Sequence, residues 1–259
     1  LPILWASYQF FEPFSIFRSL RFNSSLYTAF DFAGVFMGFG ANLNANGQFT
    51  NFWSSSVGIN YNNGSLSTGM LRGGPSFMAP SRINPFVNIT TDGRKKLVFG
   101  LTGFGQKGLE GHSQMIGTDV EITYRPFNML SISMQPNLMF SKGNLQYIEE
   151  ASFEGDPRYL FGSIDQKVLS ISLRVNLTIT PNFTIQYWGQ PFIATGSYSD
   201  IKMITDPIAD QYQDRYHVFT DDQISCYKED GYCAIDENTD GQVDYYAEYP
   251  DFNIKEFKS

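Results

Sequence analysis

The residues best suited to binding a metal ion lie close together between positions 236 and 244. Oxygen-bearing side chains stand at loop positions 1, 3, 5 and 9 of this segment, with a glycine at position 6, as in the first part of an EF-hand or dockerin-like calcium loop. Calcium takes about six to eight oxygen ligands, and the glycine permits the sharp turn that brings them together. The candidate calcium ligands are Asp236, Asn238, Asp240, Gln242 and Asp244.

Two features leave the calcium interpretation open. The twelfth loop position, which usually supplies a bidentate carboxylate, is Ala247, and Glu248 comes one residue late. No helical pattern flanks the loop. An acidic, solvated loop is therefore the alternative, and the sequence implies no other cofactor.

Cys226 and Cys233 are the two cysteines of the chain, and they stand in a stretch rich in Asp, Tyr and Gly. A local disulfide that pins a loop is the first interpretation, and it implies an oxidising compartment. Two free thiols are the alternative. A metal site at the cysteines is not expected, because both histidines, His112 and His217, lie elsewhere in the sequence.

Composition and missing motifs exclude several classes of function. The formal net charge of −8 argues against a nucleic-acid partner. No window of about 20 apolar residues occurs, so no transmembrane helix is predicted. Aromatic residues make up 16% of the chain and charged residues only 17%, a balance that suits the aromatic girdles of a membrane β-barrel. No Gly-x-Ser-x-Gly elbow, metalloprotease helix or phosphate-binding loop is present, so an enzyme is not expected.

The chain is organised around the segment from Val168 to Gly189. Apolar residues occupy every odd position from Leu169 to Ile179 and polar residues the even positions between them, which predicts a β-strand with one apolar and one polar face. Pro181 and Asn182 then predict a turn before a second strand. Charged side chains in mid-strand fit the polar lumen of a transmembrane β-barrel. The predicted lumen residues are Arg174, Asp119 and Glu121.

Turn signals and loops alternate along the chain. Tight turns are predicted at 45–47, 91–94, 126–128 and 180–182, and longer loops at 62–80, 105–113, 142–166 and 195–250. Short strand extensions are expected inside 142–166, around Leu145 to Ile148 and Tyr159 to Ile164. Short turns at one rim and long loops at the other are typical of an outer-membrane barrel. The sequence therefore predicts an all-β fold, an antiparallel transmembrane outer-membrane β-barrel with about ten visible strands and long extracellular loops. A soluble lipocalin-like barrel would place its apolar residues inside instead.

The whole chain, 1–259, is predicted to be one barrel domain that forms a segment of a longer protein. Within it, 195–250 is predicted to be a long acidic extracellular loop that carries the disulfide. Arg72, Gly73 and Gly74 lie in the 62–80 loop and allow two interpretations. Either the loop folds into the lumen and constricts the pore, or the glycines meet the backbone demands of a turn.

A set of motifs resembles one known family. In chain order they are Leu71-Arg72-Gly73-Gly74-Pro75, Thr91-Asp92-Gly93-Arg94-Lys95, Gly162-Ser163-Ile164-Asp165-Gln166, Leu173-Arg174-Val175-Asn176 with Thr180-Pro181, Ile185-Gln186-Tyr187, Gln190-Pro191-Phe192, Asp240-Gly241-Gln242-Val243-Asp244-Tyr245 and Pro250-Asp251-Phe252-Asn253. From about residue 17 onward the chain is similar to the C-terminal β-barrel region of the Bacteroidota outer-membrane family called domain of unknown function 5916. The resemblance implies a carbohydrate-binding-like β-domain upstream and further strands past Ser259.

The resemblance predicts the location of the protein but not its activity, because the family has no established biochemical function. We expect a protein of the bacterial outer membrane, in contact with outer-membrane lipid. A binding or transport-associated component of the cell envelope is the first hypothesis. A structural or interaction barrel, serving as a subunit of a larger outer-membrane complex, is the second, and an outer-membrane hydrolase is a third.

Overall fold

The computed structural model describes residues 2–259 and is built from strands with a single short helix. The strands are β1 (Ile3–Phe10), β2 (Phe17–Phe30), β3 (Phe36–Phe49), β4 (Ser54–Asn62), β5 (Ser65–Ser67), β6 (Phe77–Ala79), β7 (Arg82–Thr90), β8 (Leu97–Gly108), β9 (Gln114–Phe127), β10 (Leu130–Phe153), β11 (Asp156–Thr180), β12 (Phe183–Ile204), β13 (Tyr216–Val218), β14 (Ile224–Tyr227), β15 (Tyr232–Ile235), β16 (Tyr245–Glu248) and β17 (Phe252–Lys258). A 3₁₀ helix covers Tyr212–Arg215. Across residues 2–259, no helix is both long enough and apolar enough to cross a membrane.

One large antiparallel sheet dominates the fold, as the sequence predicts. It contains 12 strands, and β1 to β4 and β7 to β12 follow one another as an up-and-down meander. The free edge of β12 is shared by β17, which pairs with residues 190–196, and by β13, which pairs with residues 202–204. Within residues 2–259, β1 and β17 are not paired with each other. Two small sheets, β5–β6 and β14–β16, lie outside the large one.

The large sheet has one apolar and one polar face. Side chains alternate between the two faces along each strand, and cross-strand partners share a face. On the face that we call the apolar face, successive strands present Leu43, Val57, Val87, Leu101, Ile116, Leu138, Leu169 and Ile193, which are between 36% and 67% exposed. The opposite face, the polar face, carries one continuous cross-strand row of Ser56, Asn88, Thr102, Asp119, Asn137 and Ser170. The alternation weakens at the edge strand β17, which places Lys255 on the apolar face opposite Ile193.

The connections differ between the two ends of the sheet. At one end they are short, at 50–53, 91–96, 128–129 and 181–182, which confirms the turns predicted at 91–94 and 180–182 and moves the one at 126–128 by a residue or two. At the other end the two long connections, 63–81 and 205–251, lie beside short turns at 31–35, 109–113 and 154–155. We call this second end the cap end.

The turn predicted at 45–47 is wrong, because these residues lie inside β3. The Asn46 side chain donates a hydrogen bond to Oδ1 of Asn44 at 2.6 Å, two residues along the same face. A Cβ atom on Gly47 would come within 3.0 Å of the Phe17 ring. The glycine therefore leaves space for an aromatic ring against the strand, and the Asn-Gly pair does not form a turn.

The strand extensions predicted around 145–148 and 159–164 are confirmed, but the long connection predicted at 142–166 is wrong. β10 and β11 continue through it and meet at a two-residue turn, Glu154-Gly155. Register shifts between Gly143 and Gln146, and again between Tyr147 and Glu149, interrupt the alternation of side chains. Because such bulges interrupt the strict alternation of apolar and polar residues, a search for that alternation misses the strand. Likewise β8 runs to Gly108 and β12 to Ile204, so the loops predicted from 105 and from 195 begin later.

At the cap end, β10, β11 and β12 form an extension of the large sheet, and other segments cover both faces of this extension. One buried cluster joins the extension to the 63–81 connection and consists of Phe161, Ile204, Leu71 and Phe77. A second joins it to the β14–β16 sheet and consists of Leu160, Phe219, Ile235, Tyr245 and Ala247. Leu160 and Phe161 are successive residues, which point to opposite faces of a strand. We call this extension, with the two connections packed on it, the cap.

An ion pair holds the turn between β7 and β8 at the opposite end. Asp92 Oδ2 lies 2.7 Å from Arg94 Nη2, and Asp92 Oδ1 accepts the Arg94 backbone N–H at 3.1 Å. The Arg94 guanidinium in turn lies 3.3 Å over the Phe52 ring, which joins this turn to the neighbouring one. The side-chain hydrogen bond from Arg94 lowers the pKa of Asp92 to about 2.

Acid is expected to weaken the protein through Asp92. Because its pKa is lower in the folded than in the unfolded chain, the stabilisation is present above the unfolded value of about 4 and is lost as the pH falls towards 2. We expect the free energy of unfolding to fall across this window, and to fall less for Asp92→Asn. Urea unfolding in detergent micelles at each pH measures both proteins. Equal losses would show that Arg94 does not stabilise the Asp92 charge.

Candidate functional site at the cap end

Asparagine side chains form a hydrogen-bonded ladder across the polar face of the first strands. Asn23 Nδ2 donates to Asn44 Oδ1 at 2.8 Å, and Asn42 Nδ2 donates to Asn60 Oδ1 at 2.7 Å. Asn44 Nδ2 donates to Asn42 Oδ1 and closes the ladder between the two pairs. These amides satisfy one another, so the face stays polar without a net charge.

The predicted lumen residues all lie on the polar face. Asp119 accepts hydrogen bonds from Gln135 Nε2 at 2.9 and 3.1 Å, and Glu121 accepts one from Thr123 Oγ1 at 3.3 Å. Arg174 is opposite Ser133, whose other cross-strand partner is Thr123. Among residues 2–259 no ion pair joins Arg174 to either carboxylate. The structure thus places the three charges on one face, and their function as lumen residues stays a prediction.

The 63–81 connection packs on the extension of β10 to β12, in part through aromatic contacts. Leu71 is 1% exposed and Phe77 is fully buried in the cluster with Phe161. The Arg72 guanidinium lies 4.4 Å over the Tyr147 ring. A Cβ atom on Gly74 would come within 2.5 Å of the Tyr159 ring, so this glycine permits close packing.

Gly73 and Arg72 both adopt left-handed backbone conformations, with φ of 123° and 49°. A side chain at Gly73 would be strained in this conformation, as the turn interpretation of the glycines expects. The same connection lines a cavity together with Asn62, Arg82 and Ser141 of the polar face. Constriction of a lumen by this loop stays a prediction.

A buried arginine clamps the 63–81 connection to the 205–251 connection. Arg215 is 4% exposed, and it donates to the carbonyl oxygens of Met78 at 2.8 Å, Ala209 at 2.8 Å and Asp210 at 3.2 Å. Its Nη1 also lies 3.4 Å from Glu110 Oε2. The guanidinium itself is withdrawn from water and donates to three carbonyl groups, whereas the Glu110 side chain is 36% exposed.

Glu110 extends the clamp to the next connection along the cap end. Its Oε1 accepts hydrogen bonds from the Ser81 backbone N–H at 3.3 Å and from Ser81 Oγ at 3.2 Å. Ser81 Oγ in turn accepts the Gly64 N–H at 2.9 Å. Both ends of the 63–81 connection are therefore held by a network that leads to Arg215.

A lysine is buried inside the cap. Lys202 is 1% exposed, and its Nζ donates to Asn144 O at 2.9 Å, Asn144 Oδ1 at 3.2 Å and Ser163 Oγ at 3.1 Å. The Asn144 amide also donates to the hydroxyl oxygen of Tyr212 at 3.1 Å. Burial raises the pKa of Tyr212 to about 12, so the hydroxyl is neutral at physiological pH.

A cavity of about 540 Å³ lies between the polar face and the 63–81 connection. The polar face contributes Asn62, Arg82 and Ser141, the cap contributes Asn144 and Tyr212, and no carboxylate lines the cavity. Amide and hydroxyl groups offer both donors and acceptors, and Arg82 and Lys142 add positive charges. The arrangement can bind a small polar solute, and hydroxyl groups or a single anionic group would suit it.

The predicted calcium loop lies beside the β14–β16 sheet, and its carboxylates accept backbone hydrogen bonds. Gly241 donates its N–H to Asp236 Oδ2 at 2.8 Å, and Glu237 donates to Asp244 Oδ2 at 2.8 Å. Asp240 Oδ1 accepts the Gln242 N–H at 2.9 Å, and Asn238 Oδ1 accepts the Asp240 N–H at 2.9 Å. In the part of the chain that the structure describes, no three His, Cys, Asp or Glu side chains gather as a metal centre. Calcium binding stays a prediction.

Cys226 and Cys233 form a disulfide, which confirms the first interpretation of the two cysteines. The bridge joins facing residues of β14 and β15, and Cys233 is fully buried. The β14–β16 sheet, which contains this bridge, covers one face of the β10–β12 extension.

Reduction of the disulfide is expected to loosen the small sheet and to leave the large one intact. The bridge closes a loop with a sequence separation of only 7 residues. Loop-closure entropy then gives it a local contribution of about 2–3 kcal/mol. Amide hydrogen exchange should rise at 224–235 after reduction, with exchange in β2 to β9 unchanged. A loss of protection throughout the large sheet would contradict this expectation.

Sequence reasoning missed the residues that hold the cap together. Arg215, Glu110 and Lys202 stand in segments that look like solvated loops or strand ends, where charged residues are ordinary. Their partners lie 105 positions apart for Arg215 and Glu110, and 58 for Lys202 and Asn144. No local spacing could signal such pairs.

Comparison with known families gives a specific result. The family model described as Domain of unknown function (DUF5916) matches residues 3–230, most of the chain. The chain belongs to the DUF5916 family. No curated protein matches, and no solved structure does. The match to DUF5916 includes the whole meander from β1 to β12 as well as the 63–81 connection, so the cavity and the Arg215 clamp lie within the family region. The predicted calcium loop at 236–244 lies beyond it.

Proposed function

We propose that this DUF5916 chain is an outer-membrane β-barrel protein whose apolar face contacts lipid and whose polar face lines the interior. The observation that carries the proposal is the exposed apolar face, which extends over neighbouring strands of the large sheet. Soluble monomers rarely expose contiguous apolar patches of more than a few hundred Å². A hydrogen-bonded polar face behind an apolar one is the pattern of a membrane barrel.

The connections support an orientation. Outer-membrane barrels have short periplasmic turns and longer extracellular loops. The short connections at 50–53, 91–96, 128–129 and 181–182 would then face the periplasm, and the cap with its disulfide would face outward. Both compartments permit disulfides.

The cavity under the 63–81 connection supports a role in binding or transport across the envelope. Its neutral amides and hydroxyls, with Arg82, suit a hydroxyl-rich solute such as a sugar. In this proposal the connection is a cover over the extracellular mouth, and Arg215 keeps it closed. No catalytic step is part of the proposal.

A second candidate function rests on how tightly the 63–81 connection is held in place. Two buried apolar residues and the Arg215 clamp hold the 63–81 connection in place. This favours a barrel that is plugged by the connection and serves as a structural or interaction subunit. Membership in a larger outer-membrane complex, an upstream carbohydrate-binding-like domain and a Bacteroidota origin belong to the same proposal.

Liposome swelling separates the two functions. The full-length protein and its Arg215→Ala variant are reconstituted into liposomes, and swelling is followed in isosmotic glucose and maltose. If the connection is a cover, the variant should admit glucose several-fold faster than the wild-type protein. If neither protein admits sugar while both insert, transport is contradicted and the structural candidate stands.

A further inference from the structure

Three lysines stand together where the apolar face meets the cap. Lys107, Lys142 and Lys167 lie on neighbouring strands β8, β10 and β11, and we call them the lysine patch. In the register of the sheet, Gln114 of β9 pairs with both Lys107 and Lys142. Lys167 pairs with Phe140, two residues before Lys142 on the same strand. The three lysines therefore share one face of the sheet, and it is the apolar face.

The lysine patch lies along the cap-end border of the exposed apolar side chains. One step towards the middle of the sheet lie Ile116 and Phe140, which are 67% and 45% exposed. The next step brings Leu138 and Leu169, which are also exposed. A groove of about 410 Å³ is lined by the three lysines, by Ile116 and Phe140, and by Asp165. One groove thus offers cationic groups above and apolar surface below.

The charge of the patch is positive and poorly compensated. Lys142 Nζ lies 3.4 Å from Asp165 Oδ2, and both side chains are about half exposed. No ion pair to Lys107 or Lys167 occurs within residues 2–259. Three ammonium groups and one carboxylate leave a net positive charge on a protein whose net charge is −8.

We propose that the lysine patch binds the phosphorylated head group of a glycolipid in the outer leaflet, with its acyl chains along the apolar face below. The inference rests on the membrane function proposed above, because it needs lipid beside the apolar face. Lysine ammonium groups bind phosphate as compact charges, and lysines at a membrane boundary attract anionic lipid. Their apolar stems can lie along the upper acyl region while the charged ends reach the head group.

The position of the patch selects a lipid over a soluble phosphate. A site for free phosphate would need donors that converge in a water-filled pocket. Here Lys107 and Lys142 stand above Ile116 and Phe140, and Lys167 lies beside Phe140. A ligand with both phosphate and acyl chains therefore makes more contacts than phosphate alone. The patch also lies at the cap end, which the proposed orientation places in the outer leaflet.

Binding of lipid A to the full-length protein tests the proposal. The protein in dodecyl maltoside micelles is titrated with bisphosphorylated lipid A and followed by native mass spectrometry. The variant Lys107→Gln/Lys142→Gln/Lys167→Gln removes three charges and keeps polar side chains. We expect it to bind at least about 10-fold more weakly, since each interfacial lysine adds to the attraction for an anionic lipid. Asp165→Asn, which removes the competing carboxylate, should bind as tightly as the wild-type protein or more tightly.

A matched control and a competitor make the result specific. Lys95→Gln/Lys96→Gln/Arg125→Gln also removes three positive charges, but from the opposite end of the sheet, and it should bind lipid A like the wild-type protein. Inorganic phosphate at the same head-group concentration should not displace the lipid. Equal weakening in both triple variants, no weakening in the lysine-patch variant, or full displacement by phosphate would overturn the proposal.

The outer-membrane proposal is tested separately with the same proteins. Before the titration in micelles, insertion of the wild-type and variant proteins is measured in phosphatidylcholine vesicles, which carry no net charge. If the wild-type protein inserts but shows no charge-dependent binding of lipid A, only the lysine-patch inference fails. If the wild-type protein does not insert, the outer-membrane function itself is contradicted.

Discussion

Replacing Leu173 with arginine is expected to prevent insertion of the protein into the membrane. Leu173 lies in the middle of the alternating segment of β11, on the apolar face, where its cross-strand partners are Met134 and Gly189. An arginine on the lipid face near the bilayer midplane costs about 2–4 kcal/mol in membrane barrels. The fraction of protein that floats with vesicles in a density gradient should fall steeply.

Ser170→Arg is the matched control, because it places the same side chain in the same strand on the polar face. Ser170 is opposite Asn137 and near the natural Arg174, where a charge meets polar neighbours. We expect Ser170→Arg to insert as well as the wild-type protein. If both variants insert equally, or if only Ser170→Arg fails, the assignment of the two faces is wrong.

Replacing Arg215 with alanine is expected to release the 63–81 connection from the cap. The variant removes the donor to the carbonyl oxygens of Met78, Ala209 and Asp210 and the positive charge beside Glu110. Each buried acceptor that loses its hydrogen bond typically costs about 1–3 kcal/mol. Hydrogen exchange at 63–81 and 205–215 should accelerate by two or more orders of magnitude, while β2 to β4 stay protected.

Arg125→Ala provides the control for loss of an arginine. Arg125 is exposed and donates to Gly93 O at 3.2 Å at the end opposite to the cap, so its loss should leave exchange at 63–81 unchanged. Arg215→Lys should rescue little, because a lysine ammonium cannot reach three carbonyl groups in the planar geometry of a guanidinium. Unchanged exchange in Arg215→Ala would show that the apolar contacts of Leu71 and Phe77 alone hold the connection.

The regular part of the sheet could be predicted because its faces differ so sharply. Six apolar residues at odd positions between Leu169 and Ile179 require a strand with two unlike faces, and β11 has them. Local signals failed where a long-range contact decided the structure. Asn46 and Gly47 look like a hairpin turn, but the asparagine joins the amide ladder and the glycine makes room for Phe17.

The cap could not be predicted, for a similar physical reason. Bulges in β10 break the alternation that marks a strand, so the sequence of 142–166 predicts only short strand extensions within a long connection. The disulfide was within reach of sequence reasoning, because Cys226 and Cys233 are close in the chain. The Arg215 clamp and the buried Lys202 were not, since their partners come from distant segments that only the folded sheet brings together.

The most direct test of the central claim measures which face of β11 contacts lipid. Single cysteines are introduced at each position from 168 to 179, spin-labelled and reconstituted in vesicles, and the native cysteines stay protected in their disulfide. Accessibility to oxygen, which concentrates in lipid, and to a water-soluble nickel complex is measured at each site. We expect oxygen to dominate at odd positions and nickel at even positions. Nickel access at the odd positions, or no alternation between the two, would contradict a lipid-facing apolar surface.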